Sequence, residues 1–228
     1  MKKKYIWFDL GYTLLKLKRE TLYQNLLADH GYTVSVEKIE MAFHLTDKLF
    51  MRQYPGILGK QRSFYMPIYM GNMIYNLGLR IEICPLYEEW KEKLHNPFKV
   101  WSPFDYVKDT LVKLKDDGFK LGVISNWDKT AVPLLEHFQL TSFFDNIIIS
   151  SEVGYEKPDK EIFEIAFKQA SVTAEDCLYV GDNYYDDGIG SRKVGMDFVI
   201  LNPYGNIGVE EIEGCNVIPD ITYLEEYL

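Results

Sequence analysis

The sequence predicts an α/β protein whose core is a parallel sheet with helices on both faces, interrupted by an inserted helical segment. Short apolar runs rich in β-branched and aromatic residues recur along the chain. From residue 100 onward these runs alternate with helical patterns, whereas residues 16–96 show mostly helical periodicity. Strands that alternate with helices are typical of a Rossmann-like parallel sheet.

The strands and helices of the predicted core can be assigned in chain order. The strand patterns are "KYIWFDL" (4–10), "KLGVISN" (120–126), "DNIIISS" (145–151), "CLYVGDN" (177–183) and "DFVILN" (197–202). The helical patterns cover about 104–117, 129–138, 159–170 and 185–194. We therefore expect a five-stranded sheet in which helices form the connections.

The segment between the first two strands has four helical patterns. They are "RETLYQNLLADHG", "VEKIEMAFHLTDKLFMRQ", "SFYMPIYMGNMIYNLG" and "LYEEWKEKLH". The two prolines of "HNPFKVWSPF" favour a loop where this insertion returns to the core. The predicted domains are a core of residues 1–15 and 97–228 and a helical cap of residues 16–96.

Composition excludes several classes of function. With 34 acidic and 25 basic residues the formal net charge is −9, which disfavours nucleic acid as a partner. No apolar run approaches the roughly 18 residues of a membrane span, and the run before Asp9 is too short for a signal peptide. Cys84, Cys177 and Cys215 lack the spacing of a disulfide framework or a zinc site, so we expect a cytoplasmic protein.

Three polar residues follow predicted strands. Asp9, Ser125 and Asp182 each stand at the carboxyl end of an apolar run. Ligands of open parallel sheets bind outside these strand ends, so the three side chains are expected to face one crevice. The insertion leaves directly after Thr13 and is expected to cover that crevice.

Taken singly, most of these residues have an ordinary structural explanation. Asp9 suits a turn or a helix cap, and Ser125 with Asn126 suits a loop cap. Lys157 precedes Pro158, which suits the first turn of a helix, and a lysine there is usually a surface charge. None of them alone indicates a function.

The acids after "VG" are more informative. "GDNYYDD" places Asp182, Asp186 and Asp187 within six residues, and such crowded negative charge is costly without a cation. This stretch therefore indicates a metal site.

The order of these motifs resembles the haloacid dehalogenase-like hydrolase superfamily. "DLGYT", "GVISNWD", "KPDKEIF" and "VGDNYYDDGIGSRKVGM" match its four motifs along about two-thirds of the chain. The last three are similar to the branch of haloacid dehalogenase-like hydrolase domain-containing proteins, and the insertion resembles the C1-type cap of the family.

The resemblance implies roles for individual residues. Asp9 would attack phosphorus and become an aspartyl phosphate. Ser125 and Asn126 would bind the phosphoryl oxygens, and Lys157 would neutralise charge on the nucleophile and the phosphate. The implied activity is hydrolysis of a small phosphorylated metabolite.

The resemblance also implies a Mg²⁺ site. Its ligands would be Asp9, Asp182 and the backbone carbonyl of Gly11. Asp187, which matches the last acid of the family pattern better than Asp186, would bind the metal directly, bind it through water, or orient Lys157.

Gly11 departs from the family pattern. Most phosphatases of the superfamily have an aspartate there, which protonates the leaving oxygen and later activates water. A glycine supplies only a carbonyl and compliance in a tight turn. Tyr12, Asp128 or a cap residue would then have to deliver the proton, unless acid catalysis is weak.

Two other functions are compatible with the motifs. One is a dehalogenase that attacks carbon without a metal, although it would not need the acids Asp182 and Asp187. The other is a binding or regulatory protein that has lost turnover, which Gly11 alone favours. The substrate and the oligomeric state stay open, and Arg52, Lys60 and Arg62 are either contacts of an anionic substrate or solvated surface charges.

Overall fold

The computed structural model describes residues 3–228. It divides the chain into two compact units, one made of Met1–Lys16 and Ser102–Leu228 and the other of Leu17–Trp101. The predicted cap, 16–96, differs from the second unit by one residue at its start and by five at its end.

Between residues 3 and 228 the chain contains eight β-strands and ten α-helices. The strands are β1 (Tyr5–Phe8), β2 (Leu15–Leu17), β3 (Trp101–Pro103), β4 (Lys120–Ser125), β5 (Asn146–Ile149), β6 (Cys177–Gly181), β7 (Asp197–Leu201) and β8 (Asn216–Ile218). The helices are α1 (Glu20–Asp29), α2 (Val36–Gln53), α3 (Met66–Leu77), α4 (Ile83–Lys93), α5 (Pro97–Val100), α6 (Val107–Asp116), α7 (Ala131–His137), α8 (Ser150–Val153), α9 (Lys160–Ala170) and α10 (Ile189–Lys193). A π-helical turn, Tyr184–Gly188, precedes α10.

Six of the strands form one parallel sheet in the order β5-β4-β1-β6-β7-β8, which confirms the predicted fold class. The sheet has one strand more than predicted, because β8 has only three residues and too short a pattern to recognise. The prediction for β5 ran too far, since α8 begins at Ser150. The remaining strands, β2 and β3, pair with each other.

Both faces of the sheet are buried. Tyr5 and Trp7 of β1 pack with Ile162 and Phe163 of α9 on one face. Side chains alternate along a strand, so Ile6 and Phe8, two positions apart, point to the other face, where they are also fully buried. This burial explains why the strands are almost continuously apolar in sequence.

The second unit contains α1 to α5, and α1 to α4 correspond to the four predicted helical patterns. Helix α2 begins where Ser35 Oγ accepts a hydrogen bond from the amide of Lys38 (3.4 Å). The ring of Tyr23 packs edge-on against the rings of Phe43 and Trp90, with centroids 5.3 and 5.2 Å away. Aromatic packing of this kind stabilises the helices of the unit.

The sequence predicted neither a membrane span nor a disulfide framework. Over residues 3–228, the helices fall short of the length and apolar character that crossing a membrane requires. Cys84, Cys177 and Cys215 are free thiols.

Candidate active site

The strand register aligns the predicted site residues at one edge of the sheet. Phe8 of β1 pairs with Val123 of β4 on one side and with Val180 of β6 on the other. Asp9 continues the ladder, because its amide donates to the carbonyl of Val180 (2.8 Å). Ser125 and Asp182 therefore each lie one residue beyond the level of Asp9, on opposite sides of it.

Lys157 reaches this edge from the loop that precedes α9. Its side chain is buried, with 3% of its surface exposed, and its ammonium makes three hydrogen bonds. The acceptors are Asp9 Oδ1 (2.6 Å), Asp187 Oδ1 (2.6 Å) and the hydroxyl of Tyr179 (2.8 Å). Three donors thus meet three acceptors, and the lysine is a buried member of the site and not a surface charge.

The protonated state of Lys157 follows from its neighbours. Burial by itself lowers the pKa of an ammonium, but the carboxylates of Asp187 and Asp9 outweigh that effect and hold the pKa of Lys157 well above its ordinary value. Burial has the opposite effect on a phenol, and it raises the pKa of Tyr179 well above its ordinary value. The site therefore contains an ammonium and a neutral hydroxyl at physiological pH.

Asn126 holds the backbone of Lys157. Its side-chain Nδ2 donates to the carbonyl of Lys157 (2.8 Å), and its Oδ1 accepts from the amide of the same residue (2.7 Å). The sequence predicted that Asn126 binds substrate, but both polar atoms of this amide serve the lysine backbone. These two bonds hold the loop of Asn126 against the loop of Lys157, and contact of Asn126 with a phosphoryl group stays a prediction.

Asp182 precedes the π-helical turn, and Asp186 and Asp187 lie within it and have different partners. Asp187 is fully buried, and its Oδ2 accepts from the amide of Asn183 (3.0 Å). The Asp186 carboxylate instead accepts from the Asn183 side chain (2.8 Å). Asp187, but not Asp186, is grouped with Asp9 and Asp182.

The grouped acids have the chemistry of a divalent-metal site. One carboxylate oxygen from each of Asp9, Asp182 and Asp187 lies within 4.8 Å of the others. With all three acids ionised, the carboxylates would exceed the Lys157 ammonium by two negative charges, which one divalent cation would offset. A set of oxygen donors suits Mg²⁺. The residues present therefore fit the predicted ion.

The turn after β1 differs from the expectation for Gly11. In this turn it is Tyr12, with a φ of 54°, and not Gly11 that takes the left-handed conformation. The amide of Tyr12 donates to the carbonyl of Leu15 (2.7 Å), which closes the turn. The backbone conformation of this turn therefore does not require a glycine at position 11. The main chemical consequence of Gly11 is that no side chain is available there for proton transfer.

Asp128, one of the candidates for the missing acid, lies in the loop after β4. It is exposed, and its Oδ1 accepts from both the amide (2.8 Å) and the hydroxyl (2.5 Å) of Thr130. This is the arrangement of a turn cap that leads into α7. The cations Arg52, Lys60 and Arg62 belong to the second unit, where Arg62 donates to the carbonyl of Leu94 (3.3 Å).

Two residues of the site were missed by the sequence analysis. Tyr179 contributes the third acceptor of Lys157, but within "LYVGDN" it is indistinguishable from an apolar strand residue. Asn183 caps the π-helical turn through bonds from the amides of Tyr185 (3.1 Å) and Asp186 (3.3 Å). Its signal was the asparagine directly after "GD", a common capping residue.

Comparison with known proteins identifies the family of this arrangement. The family model described as haloacid dehalogenase-like hydrolase matches residues 6–201. That match covers most of the chain, including all four motifs.

Individual proteins are similar over different lengths of the chain. Haloacid dehalogenase-like hydrolase domain-containing protein 3 of Homo sapiens is 26% identical over 230 residues, covering 95% of this chain and 90% of that protein. Glyceraldehyde 3-phosphate phosphatase of Methanothermobacter thermautotrophicus is 34% identical over 146 residues, 59% of this chain and 62% of that protein. The magnesium-bound HAD hydrolase YfnB of Bacillus subtilis is 21% identical with a TM-score of 0.67, covering 99% and 98% of the two chains, and shows the same fold.

Proposed function

Because this chain belongs to the haloacid dehalogenase-like hydrolase family, we propose that it is a Mg²⁺-dependent phosphatase of small metabolites with Asp9 as nucleophile. The observation that carries the proposal is the cluster at the carboxyl edge of the sheet. There the Lys157 ammonium bonds both Asp9 and Asp187, while Asp182 lies beside the same two acids. Each of these groups has a use in phosphoryl transfer.

The reaction consists of two displacements at phosphorus. An oxygen of Asp9 attacks the phosphoryl group, the bond to the leaving oxygen breaks, and the alcohol departs after taking a proton. Water then attacks the aspartyl phosphate, which releases inorganic phosphate and restores the carboxylate. Gly11 has no side chain to transfer either proton, so protons come from solvent or from another residue.

Lys157 and Ser125 act on charge and position. The ammonium 2.6 Å from Asp9 offsets the repulsion between a carboxylate and an anionic phosphate, which is strong in a partly desolvated site. Ser125, buried at the end of β4, would donate to a phosphoryl oxygen. Asn126 contributes indirectly by holding the lysine backbone.

Asp9, Asp182 and Asp187, with the carbonyl of Gly11, would hold the Mg²⁺. When bound, the ion supplies positive charge that draws the anionic substrate toward Asp9. Asp187 already bonds Lys157, so it would serve both cations at once.

The acid cluster favours this reaction over the other two functions. A dehalogenase attacking carbon needs no divalent cation, whereas three grouped acids leave an unbalanced negative charge without one. A binding protein without turnover has no need for a buried lysine held against a nucleophile. The one feature that supports weak turnover is Gly11.

The substrate class follows from the same reasoning. A small phosphorylated metabolite is proposed, and the relative named glyceraldehyde 3-phosphate phosphatase supports phosphorylated three-carbon compounds as the first candidates. The free thiols of Cys84, Cys177 and Cys215 support the proposed cytoplasmic location, since such thiols persist in a reducing compartment.

Metal dependence provides the test. The protein is assayed with an aryl phosphate and a panel of phosphorylated metabolites, with Mg²⁺ or with EDTA, and EDTA should abolish turnover. Asp182→Asn should raise the Mg²⁺ concentration required, whereas Asp176→Asn, a control at the opposite end of β6, should not. Unchanged hydrolysis in EDTA and with Asp182→Asn would show that the metal assignment is wrong.

A further inference from the structure

We propose that Tyr179 is a positioning residue, whose hydroxyl holds the Lys157 ammonium in the place where it faces Asp9. The role in turnover rests on the proposed function, but the hydrogen bond itself does not. No motif resemblance pointed to this tyrosine, which the structure places in direct contact with the site.

The hydroxyl of Tyr179 connects the lysine to the end of β4. It accepts from Lys157 Nζ (2.8 Å). Its single proton has two acceptors within reach, the carbonyl of Ile124 (2.8 Å) and Asp187 Oδ1 (3.2 Å), and the shorter distance favours donation to Ile124. A hydroxyl has one proton and two lone pairs, so donation to Ile124 turns a lone pair toward the ammonium. Ile124 directly precedes Ser125, and the bond thus links the lysine to the strand that carries the proposed phosphoryl-binding serine.

The tyrosine is itself rigid. Its side chain is fully buried on β6, and its ring packs edge-on against Phe163 of α9, with centroids 5.6 Å apart. A side chain fixed at both its ring and its hydroxyl provides a stationary acceptor. The flexible four-carbon stem of Lys157 would otherwise allow its ammonium to move.

The neutrality of this acceptor has a consequence for the charge balance. Asp9 and Asp187 already place two carboxylates against the ammonium. A third carboxylate would bind the ammonium more strongly than a hydroxyl does, but it would add negative charge beside an anionic substrate. A hydroxyl instead fills the third hydrogen-bonding direction without charge, so that the ammonium stays between the two acids.

Tyr179→Phe tests the inference, because it removes the hydroxyl and keeps the ring. Tyr5→Phe is the matched control, since Tyr5 is equally buried on β1 and its hydroxyl donates to Asn146 Oδ1 (2.8 Å), away from Lys157. With an aryl phosphate and saturating Mg²⁺, Tyr179→Phe should lower kcat about 10- to 100-fold, with KM changed by less than about threefold. Tyr5→Phe should leave kcat within about twofold of the wild type.

A double-mutant cycle separates positioning from a general effect on the fold. In the Lys157→Ala background Tyr179→Phe should have a much smaller effect on kcat, because only the longer contact of the hydroxyl with Asp187 Oδ1 (3.2 Å) is then left to lose. An equal fall in kcat in both backgrounds would overturn the proposal. So would a Tyr179→Phe enzyme as active as the wild type.

A measurement without substrate keeps the two proposals distinguishable. In ¹⁵N-labelled protein, the buried Lys157 ammonium should give a slowly exchanging NMR signal, identified by its loss in Lys157→Ala. In the wild type this signal should show an NOE to the ring protons of Tyr179, and it should shift or broaden in Tyr179→Phe but not in Tyr5→Phe. A wild-type signal without that NOE would contradict the contact between Tyr179 and Lys157, even if the protein is an active phosphatase. If the expected NMR signals are present but the protein has no turnover, only the proposed phosphatase function is contradicted.

Discussion

Asp187 lies directly against the bare Cα of Gly181, so that a Cβ built at Gly181 would be 2.1 Å from Asp187 Oδ2. The glycine of "GD" therefore makes room for the acid that bonds Lys157. A side chain at this position would displace the carboxylate from the ammonium.

Gly181→Ala is accordingly expected to reduce turnover by about a hundredfold or more, since it moves the carboxylate that holds Lys157. Overpacking of this kind also costs about 1–3 kcal/mol of stability. Gly122→Ala is the control, because its Cβ would meet the ring of Trp7 at 2.4 Å, away from the acids. Both variants should unfold at lower temperature, and only Gly181→Ala should lose kcat per folded molecule. Equal activity losses would show that the room at Gly181 matters for folding alone.

Lys157→Ala should reduce kcat/KM by about a hundredfold or more, because it leaves Asp9 and an anionic phosphoryl group without the ammonium between them. Steady-state kinetics with an aryl phosphate measures the loss. Lys160→Ala removes an exposed lysine that pairs with Glu164, and it should have little effect. A change below about threefold for Lys157→Ala would remove the lysine from the reaction.

Asn126→Ala removes both bonds to the Lys157 backbone and should lower both stability and kcat. Each lost bond of this type is worth about 1 kcal/mol or more. Asn202→Ala is the control: its buried amide at the end of β7 donates to Ile207 (3.0 Å) and accepts from Tyr204 (3.3 Å). Thermal unfolding should show similar losses for both variants, while only Asn126→Ala should slow turnover. A higher KM for phosphate esters, with kcat and stability unchanged, would contradict this role and would indicate that Asn126 contacts the phosphate.

Gly11 should make turnover sensitive to the leaving group. A positioned acid contributes about 10²- to 10⁴-fold, and Gly11 offers no side chain to supply it. Aryl, acyl and anomeric phosphates should therefore react much faster than simple alkyl phosphates. A Brønsted series of phosphate esters measures this, and Gly11→Asp should flatten it by accelerating the alkyl esters. A flat dependence in the wild type would reveal another residue acting as a full general acid.

The fold was readily predicted because its strands are buried on both faces and alternate with helices. The contacts between residues of the candidate site were only partly predictable. Asp9, Ser125 and Asp182 could be located because each ends an apolar strand, and the register then places them side by side.

The remaining contacts depend on tertiary structure and left little trace in the sequence. Asn126 follows a strand like any loop residue, and its bonds to Lys157, 31 positions away, appear only when the two loops meet. Tyr179 looks like a core residue, and its function resides in one hydroxyl oxygen. The left-handed turn occurs at Tyr12, whereas sequence reasoning assigns such turns to the neighbouring glycine.

Asp9 is expected to become phosphorylated during turnover. With Mg²⁺ and an aryl phosphate, rapid mixing should show a burst of phenol release that approaches one per enzyme, because Gly11 supplies no base for the second step. Mass spectrometry of acid-quenched protein should then find one phosphoryl group on the peptide that contains Asp9, and none on Asp9→Asn, which should be inactive but folded. Steady turnover with no phosphoryl group on that peptide, together with an active Asp9→Asn enzyme, would contradict the account.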